Sequence, residues 1–272
     1  MKTLKEAIEC GDLLSGGLLV STLTNPRAGG SLADYQAKFA QWCTEARLSA
    51  DVFQVNDGAF TRFIHYFYRQ LAFSGDAQHD FSCKHSLIDS VMDYRTGMPV
   101  SLAIIFVAIA GKLGFDVQGV NFPGHFLLRY LGEDQRAKYL DPKSGNWLSE
   151  SDLSYLYFSV LSEIDNETMP EEALYAASSE EILVHLLHNI KAAYIHERKY
   201  EQALMTVELL IDLCPNNPYE RRDRGILLHE LHCPQLAIAD YQYFIRQCPK
   251  DPAATLLEMQ VRNMEVNSPV MH

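Results

Sequence analysis

The sequence lacks the features that mark several classes of protein. Its 272 residues carry 23 Lys and Arg against 35 Asp and Glu, so no basic excess points to nucleic acid or to an anionic membrane surface. None of its six cysteines forms a Cys-x-x-Cys pair, which indicates reduced thiols rather than a metal site or a disulfide framework. Near the start, Glu6, Glu9 and Asp12 interrupt any apolar run, so we expect no targeting segment. These absences predict a cytoplasmic protein without nucleic-acid or membrane partners.

An uninterrupted apolar run, Leu102–Ala110, is present and is followed by Gly114 as a stop signal. The run is too short to span a bilayer, so it predicts a helix that is buried on all sides. Strands are predicted after it from aromatic and branched residues at 115–120, 124–130 and 138–140. The last two of these strands should form a hairpin.

Three motifs occupy this region. They are Arg-Thr-Gly-Met-Pro-Val-Ser-Leu at 95–102, Gly-Val-Asn-Phe-Pro-Gly-His-Phe at 119–126 and Asp-Pro at 141–142. With these motifs the chain resembles the bacterial SirB family, transglutaminase-like proteins with tetratricopeptide repeats. The resemblance implies an α+β, papain-like domain of one helix on an antiparallel sheet, in which a cysteine at the helix start works with a histidine and an aspartate.

Pro99 stands where the resemblance places that cysteine. The family pattern around the cysteine matches Gly97, Ala103 and Gly114 without gaps. Proline cannot act as a nucleophile, but it suits the first turn of a helix, where its missing N–H costs nothing. We therefore expect Pro99→Cys to create a reactive thiol within reach of His125.

Ser101, His125 and Asp141 remain as relic or candidate catalytic residues. Ser101 lies about 200° around the helix from residue 99, and its hydroxyl can equally bond backbone groups of the first turn. A hairpin centred on Glu133 would put His125 and Asp141 directly opposite each other on one face. The two can then form either a catalytic pair or a hydrogen-bonded pair that only stabilises the core.

The second half of the sequence contains an internal repeat of 34 residues. Pairs of identical residues at this offset include Ala203 with Ala237 and Cys214 with Cys248. This period is typical of tetratricopeptide repeats, which are helix pairs. We predict repeats at about 184–217 and 218–251 and a capping helix at 252–263. With a linker at 165–170, the predicted domains are residues 1–168, with N-terminal helices before the transglutaminase-like motifs, and residues 169–272.

Arg221, Arg222 and Arg224 are candidates for binding an acidic peptide, although they can equally form a solvated helix face. Two histidine pairs, 185 with 188 and 229 with 232, have the helical spacing of metal ligands. Both lie inside the repeat pattern, where packing explains them, so no metal and no cofactor is expected.

Two functions remain open. One is a protein-interaction module, a transglutaminase-like domain without its cysteine joined to repeats that bind a protein or peptide partner. The other is an acyl-transfer or hydrolytic enzyme that uses Ser101, or a water activated by His125. The first is favoured because acyl chemistry on this fold rests on the thiolate.

Overall fold

The computed structural model describes residues 3–26, 30–49, 52–75, 82–160 and 168–266. The chain forms two compact units, residues 1–186 and 187–272. Residues 165–167 of the expected linker lie outside the described residues. The predicted domain boundary at residue 168 remains a prediction.

The first unit is built from helices around a small antiparallel sheet. Its helices are α1 (Leu4–Glu9), α2 (Leu13–Thr24), α3 (Leu32–Ser49), α4 (Asp57–His65), α5 (Cys83–Ser86), α6 (Ile88–Tyr94), α7 (Pro99–Leu113) and α8 (Glu150–Val160). Its strands are β1 (Ser74–Gly75), β2 (Thr96–Gly97), β3 (Val117–Phe122), β4 (His125–Leu131), β5 (Ala137–Leu140) and β6 (Trp147–Leu148). A π-helical turn, Tyr66–Gln70, extends α4, and a 3-10 turn, Glu171–Leu174, follows α8. The predicted α+β fold class is confirmed.

Helix α7 is the centre of this unit, as the apolar run predicts. Its first residue is Pro99, and Gly114 ends it with a φ of +95°, a backbone conformation that glycine adopts without steric cost. Every side chain from Leu102 to Phe106 is buried. Phe106 contacts the rings of Phe60 and Phe63 on α4. Each fully buried side chain of this size contributes roughly 1.5–3 kcal/mol to folding.

Strands β3, β4, β5 and β6 form an antiparallel sheet in that order. Pro123 and Gly124 connect β3 to β4, and Gly124 has the φ of +68° that the third position of a type II turn requires. On one face, Tyr130 stacks on Phe60 with ring centroids 3.8 Å apart. On the other face, Val120 and Leu127 pack against Leu153 and Tyr157 of α8.

The second unit consists of helix pairs. The helices are α9 (Ser179–His196), which begins in the first unit, α10 (Tyr200–Leu213), α11 (Pro218–Glu230), α12 (Pro234–Gln247) and α13 (Pro252–Val266). The predicted repeat is confirmed, because α10 and α12 have the same length and are offset by the predicted period. Cys214 and Cys248 end them with matching backbone angles, φ −122° and −127°. In the described part of the chain, no helix is long and apolar enough to cross a membrane.

Candidate functional site

The start of α7 is the position from which a catalytic site of this fold would be built. Met98 precedes the helix in an extended conformation, and its N–H donates to the carbonyl of His85 at 2.7 Å. Pro99 follows as the first helical residue and is half-buried. The helix start is therefore an ordinary proline-initiated turn, as the sequence predicts.

Ser101 does not have the surroundings of a nucleophile. Its side chain has no exposed surface, and its hydroxyl donates to the carbonyl of Ser86 on α5 at 2.9 Å. The expected bond within its own helix turn is replaced by this bond between two helices. A substrate has no access to an oxygen in this position.

His125 lies on the face of the sheet that is covered by α8. It is directly opposite Phe122, so the two side chains share one face, and the ring of Phe122 contacts Tyr157 with centroids 6.1 Å apart. Tyr130 lies on the other face, with Phe60 and Phe106 of α7. The expectation that the start of α7 faces His125 is not supported by this arrangement.

The predicted register of the β4–β5 hairpin is wrong by two residues. Leu128 is opposite Leu140 and Leu131 is opposite Ala137. The hairpin is therefore centred on residue 134 instead of 133, and each residue of β4 is opposite a residue of β5 two positions later than predicted. The reason is a five-residue turn in which Gln135 adopts a left-handed φ of +59°. In this register His125 and Asp141 are not directly opposed.

Asp141 organises the turn after β5. Its carboxylate accepts hydrogen bonds from the backbone N–H of Lys143 at 2.9 Å and from the hydroxyl of Ser144 at 2.7 Å. Within the described residues no hydrogen bond joins it to His125, so the predicted pair is not formed. The turn is held from outside by Tyr68, whose hydroxyl donates to the carbonyl of Pro142.

Tyr68 is a member of this region that the sequence did not single out. Burial raises the pKa of its phenol well above the ordinary value, and the nearby charge of Asp141 raises it further. The phenol is therefore neutral at physiological pH and acts as a hydrogen-bond donor. It fixes the Asp-Pro motif in place rather than supplying a base.

Arg95, in the first motif, has a structural role that only the structure shows. It ends α6 with a left-handed φ of +64°. Its guanidinium lies over the ring of Trp42 at 4.0 Å and near that of Phe73 at 5.0 Å. Such stacking stabilises a cation by roughly 0.5–2 kcal/mol. Arg95 thereby joins α3 to the segment before β1.

The three arginines of α11 are engaged within the second unit and are half-buried, which corrects the expectation of an exposed cluster. Arg224 donates two hydrogen bonds to Asp240, at 2.6 and 2.7 Å, and also pairs with Glu208. Arg222 pairs with Asp223 and lies over Tyr219 and Phe244. Arg221 lies 3.5 Å from Asp240 and over Tyr243. Their partners are on neighbouring turns and helices, which the sequence alone does not show.

A buried charge cluster links α9 to α11 in the same unit. Lys191 donates to Glu220 at 2.8 Å and to Asp223 at 2.7 Å. The side chain of Glu220 is only 1% exposed and that of Lys191 only 10%. His188 lies 3.7 Å from Glu220, and burial, together with the charge of Lys191, lowers the pKa of its imidazole.

The histidine pairs have other contacts. His185 lies 3.0 Å from the amide oxygen of Asn121, and His229 lies 2.9 Å from the amide nitrogen of Gln260. Over the ranges that the structure describes, no group of three His, Cys, Asp or Glu side chains is arranged to hold a metal ion.

Comparison with known proteins agrees with this architecture. Residues 33–188 match the family model of the transglutaminase-like superfamily, and residues 190–262 match that of the tetratricopeptide repeat. A "UPF0162 protein" of Vibrio cholerae is 33% identical over 265 residues, which cover 97% of each chain. "Protein SirB1" of Salmonella typhimurium is 32% identical over 188 residues, and "UPF0162 protein YchA" of Escherichia coli over 185, in each case 68% of both chains.

No solved structure gives a significant match. The resemblance in the three motifs is thus extended to nearly the whole chain by the Vibrio relative. The chain belongs to the transglutaminase-like superfamily, in the SirB family of bacterial proteins that carry tetratricopeptide repeats after the transglutaminase-like domain.

Proposed function

We propose that this protein is a non-catalytic, cytoplasmic interaction module. The observation that carries the proposal is Pro99 at the first position of α7, where the superfamily resemblance places the cysteine nucleophile. A thiolate is the attacking group of such a site, and proline supplies no substitute for it.

The other candidate groups support this proposal by their local roles. Ser101 is sealed beneath α5 and Asp141 holds a turn. The thiol nearest to α7 in sequence, Cys83, is only 5% exposed. None of these groups is placed to attack an acyl carbon from solvent.

The repeats supply the binding surface in this proposal. Because the arginines of α11 are held by carboxylates of their own unit, we assign recognition to exposed apolar side chains on the first helix of each repeat and on the capping helix. These are Ile195, Tyr219, Ile226 and Leu256, which are 39%, 43%, 42% and 68% exposed. Exposed apolar side chains of this kind suit a helix or an extended peptide of a partner protein.

In-cell photo-crosslinking tests the binding surface. A photoreactive residue is placed at position 226 and, as a matched control, at position 236, an exposed leucine on α12. We expect a discrete adduct from position 226, lost in Leu256→Asp, and no such adduct from position 236. Identical adducts from both positions would mean that these exposed side chains do not select a partner.

A second measurement tests the missing chemistry. The full chain is treated with a fluorophosphonate, which reacts with activated serines, and its intact mass is recorded. We expect no labelling at Ser101, and no difference between the parent and Ser101→Ala. Stoichiometric modification of Ser101 would favour the enzyme.

A further inference from the structure

The free edge of the sheet is bordered by an apolar groove of about 790 Å³. Strand β6 forms one side and α8 another. The apolar residues along it are Ala137, Tyr139, Trp147, Leu148, Leu153, Phe158, Met169 and Leu174. A groove of this volume and lining is typical of a binding site.

The backbone of β6 has pairing capacity left on the groove side of the sheet edge. The N–H of Asp141 donates to the carbonyl of Asn146 at 3.0 Å, so this position, next to the Leu140–Trp147 pair, is a hydrogen-bonded position of the ladder. Hydrogen-bonded and non-hydrogen-bonded positions alternate along an antiparallel pair. Trp147, opposite Leu140, is therefore at a non-hydrogen-bonded position, and its N–H and C=O point away from β5. An added extended segment would find a donor and an acceptor there.

The charge around the groove has one sign. The described residues 144–160 and 168–190 contain six Asp and Glu and no Lys or Arg. Glu150 lines the groove, and Glu171 and Glu172 flank its Met169 and Leu174 wall. In the described part of the chain, these three exposed carboxylates form no ion pair. The lysine of the lining, Lys138, is neutralised by Asp57.

We propose that this groove binds an extended segment of a partner protein in which apolar residues alternate with Lys or Arg. The apolar side chains fill the groove, the backbone adds to Trp147 at the sheet edge, and the basic side chains face the unpaired carboxylates. Alternation follows from the period of two in an extended chain. The proposal does not depend on the repeats, because every residue that carries it lies in the first unit.

Selection of phage-displayed random 12-residue peptides on the full chain tests the proposal. Enriched peptides are synthesised, and binding is followed by the fluorescence of Trp147, which is 42% exposed, whereas Trp42, the other tryptophan, is 3% exposed. We expect basic peptides with apolar residues at alternate positions. Their affinity should fall at least tenfold between 50 and 300 mM salt, because exposed charges are then screened.

Three variants separate the groove from the rest of the surface. Ser154→Arg fills the groove and adds a positive charge, and Ser159→Arg adds the same charge elsewhere on α8. We expect at least tenfold weaker binding to the first and parental binding to the second. Glu150→Lys, at an exposed position, should weaken binding severalfold and serves as the test if Ser154→Arg does not fold. Ile226→Asp in the repeats should bind like the parent.

Several results would overturn the proposal. These are failure to enrich any peptide that Ser154→Arg rejects, enrichment of acidic or uncharged peptides, and apolar residues at helical rather than alternate spacing. Dimerisation of the chain itself, if abolished by Ser154→Arg, would show instead that the groove is an interface between two copies.

Discussion

Replacement of Lys191 by methionine should strongly destabilise the repeats. Methionine keeps the apolar stem of the side chain but leaves Glu220, which is 1% exposed, without its closest cation at 2.8 Å. At an effective dielectric constant of about 20, two unit charges at that distance attract each other by about 6 kcal/mol, from which the desolvation of the lysine must be subtracted. Removing one partner of a buried pair costs about 3–5 kcal/mol in typical proteins. We expect the loss of unfolding free energy caused by Lys191→Met to lie in this range.

The assay is urea unfolding followed by far-UV circular dichroism. Both tryptophans lie in the first unit, so their fluorescence follows that unit alone. With a urea dependence of about 1–3 kcal/mol per molar, the transition of the repeats should move by at least about 1 M. Lys199→Met is the matched control, because Lys199 forms a more exposed pair with Glu197 and should cost less than about 1 kcal/mol.

A double variant tests the physical reason. In Lys191→Met with Glu220→Leu no buried carboxylate remains at position 220, so the double variant should be more stable than the single one. Equal losses of stability for Lys191→Met and Lys199→Met, or a double variant that is the least stable of all, would show that the buried charge of Glu220 is not the cause of the destabilisation.

Further predictions concern groups with local roles. Ser101→Ala should cost roughly 1–3 kcal/mol of unfolding free energy by leaving a buried carbonyl without its donor, measured by urea unfolding; no loss would mean that the bond is absent. Asp141→Ala and His125→Ala should have additive effects on stability, because no hydrogen bond joins them, and a coupling above about 0.5 kcal/mol would contradict this. Arg224→Gln should cost up to about 3–5 kcal/mol, since buried Asp240 loses its two close hydrogen bonds and keeps only Arg221, at 3.5 Å, as a cation. A thermal melt unchanged from the parent would exclude this role. Because the pKa of His188 is lowered in the folded state, the unfolded chain binds a proton at this imidazole more readily than the folded chain does. The free energy of unfolding should therefore fall as the pH drops below about 6.5, and His188→Gln should reduce that fall. The same pH dependence of stability in parent and variant would contradict this prediction.

The sequence was sufficient to predict the elements whose cause is local. An unbroken apolar run between a proline and a glycine permits little besides a buried helix, and α7 begins at that proline and stops just before that glycine. The helix pairs were predictable because a fixed period imposes the same packing on each repeat, down to the matching helix ends at Cys214 and Cys248.

The candidate site depended on relations that local sequence does not contain. The hairpin register was set by a left-handed backbone at Gln135, a residue with no strong preference for that conformation. Which helix His125 faces depends on which side of the sheet α8 covers, and local sequence does not determine this. Similarly, an arginine in a cluster is a reasonable candidate for binding an acidic partner, but the carboxylates that pair with Arg224 lie 16 residues away on either side in the sequence.

The most direct test of the central claim, that α7 and His125 do not form a catalytic pair, is the pH dependence of iodoacetamide labelling of Pro99→Cys. The six native cysteines are followed separately by peptide mapping. A thiol at the start of α7 should have a pKa below the free value of about 8.5, because the helix terminus favours the thiolate. We predict that adding His125→Ala leaves this pKa unchanged, since His125 lies on the face that packs against α8. A rise of about one unit or more on removal of His125 would show that the imidazole reaches the helix start and would contradict the claim.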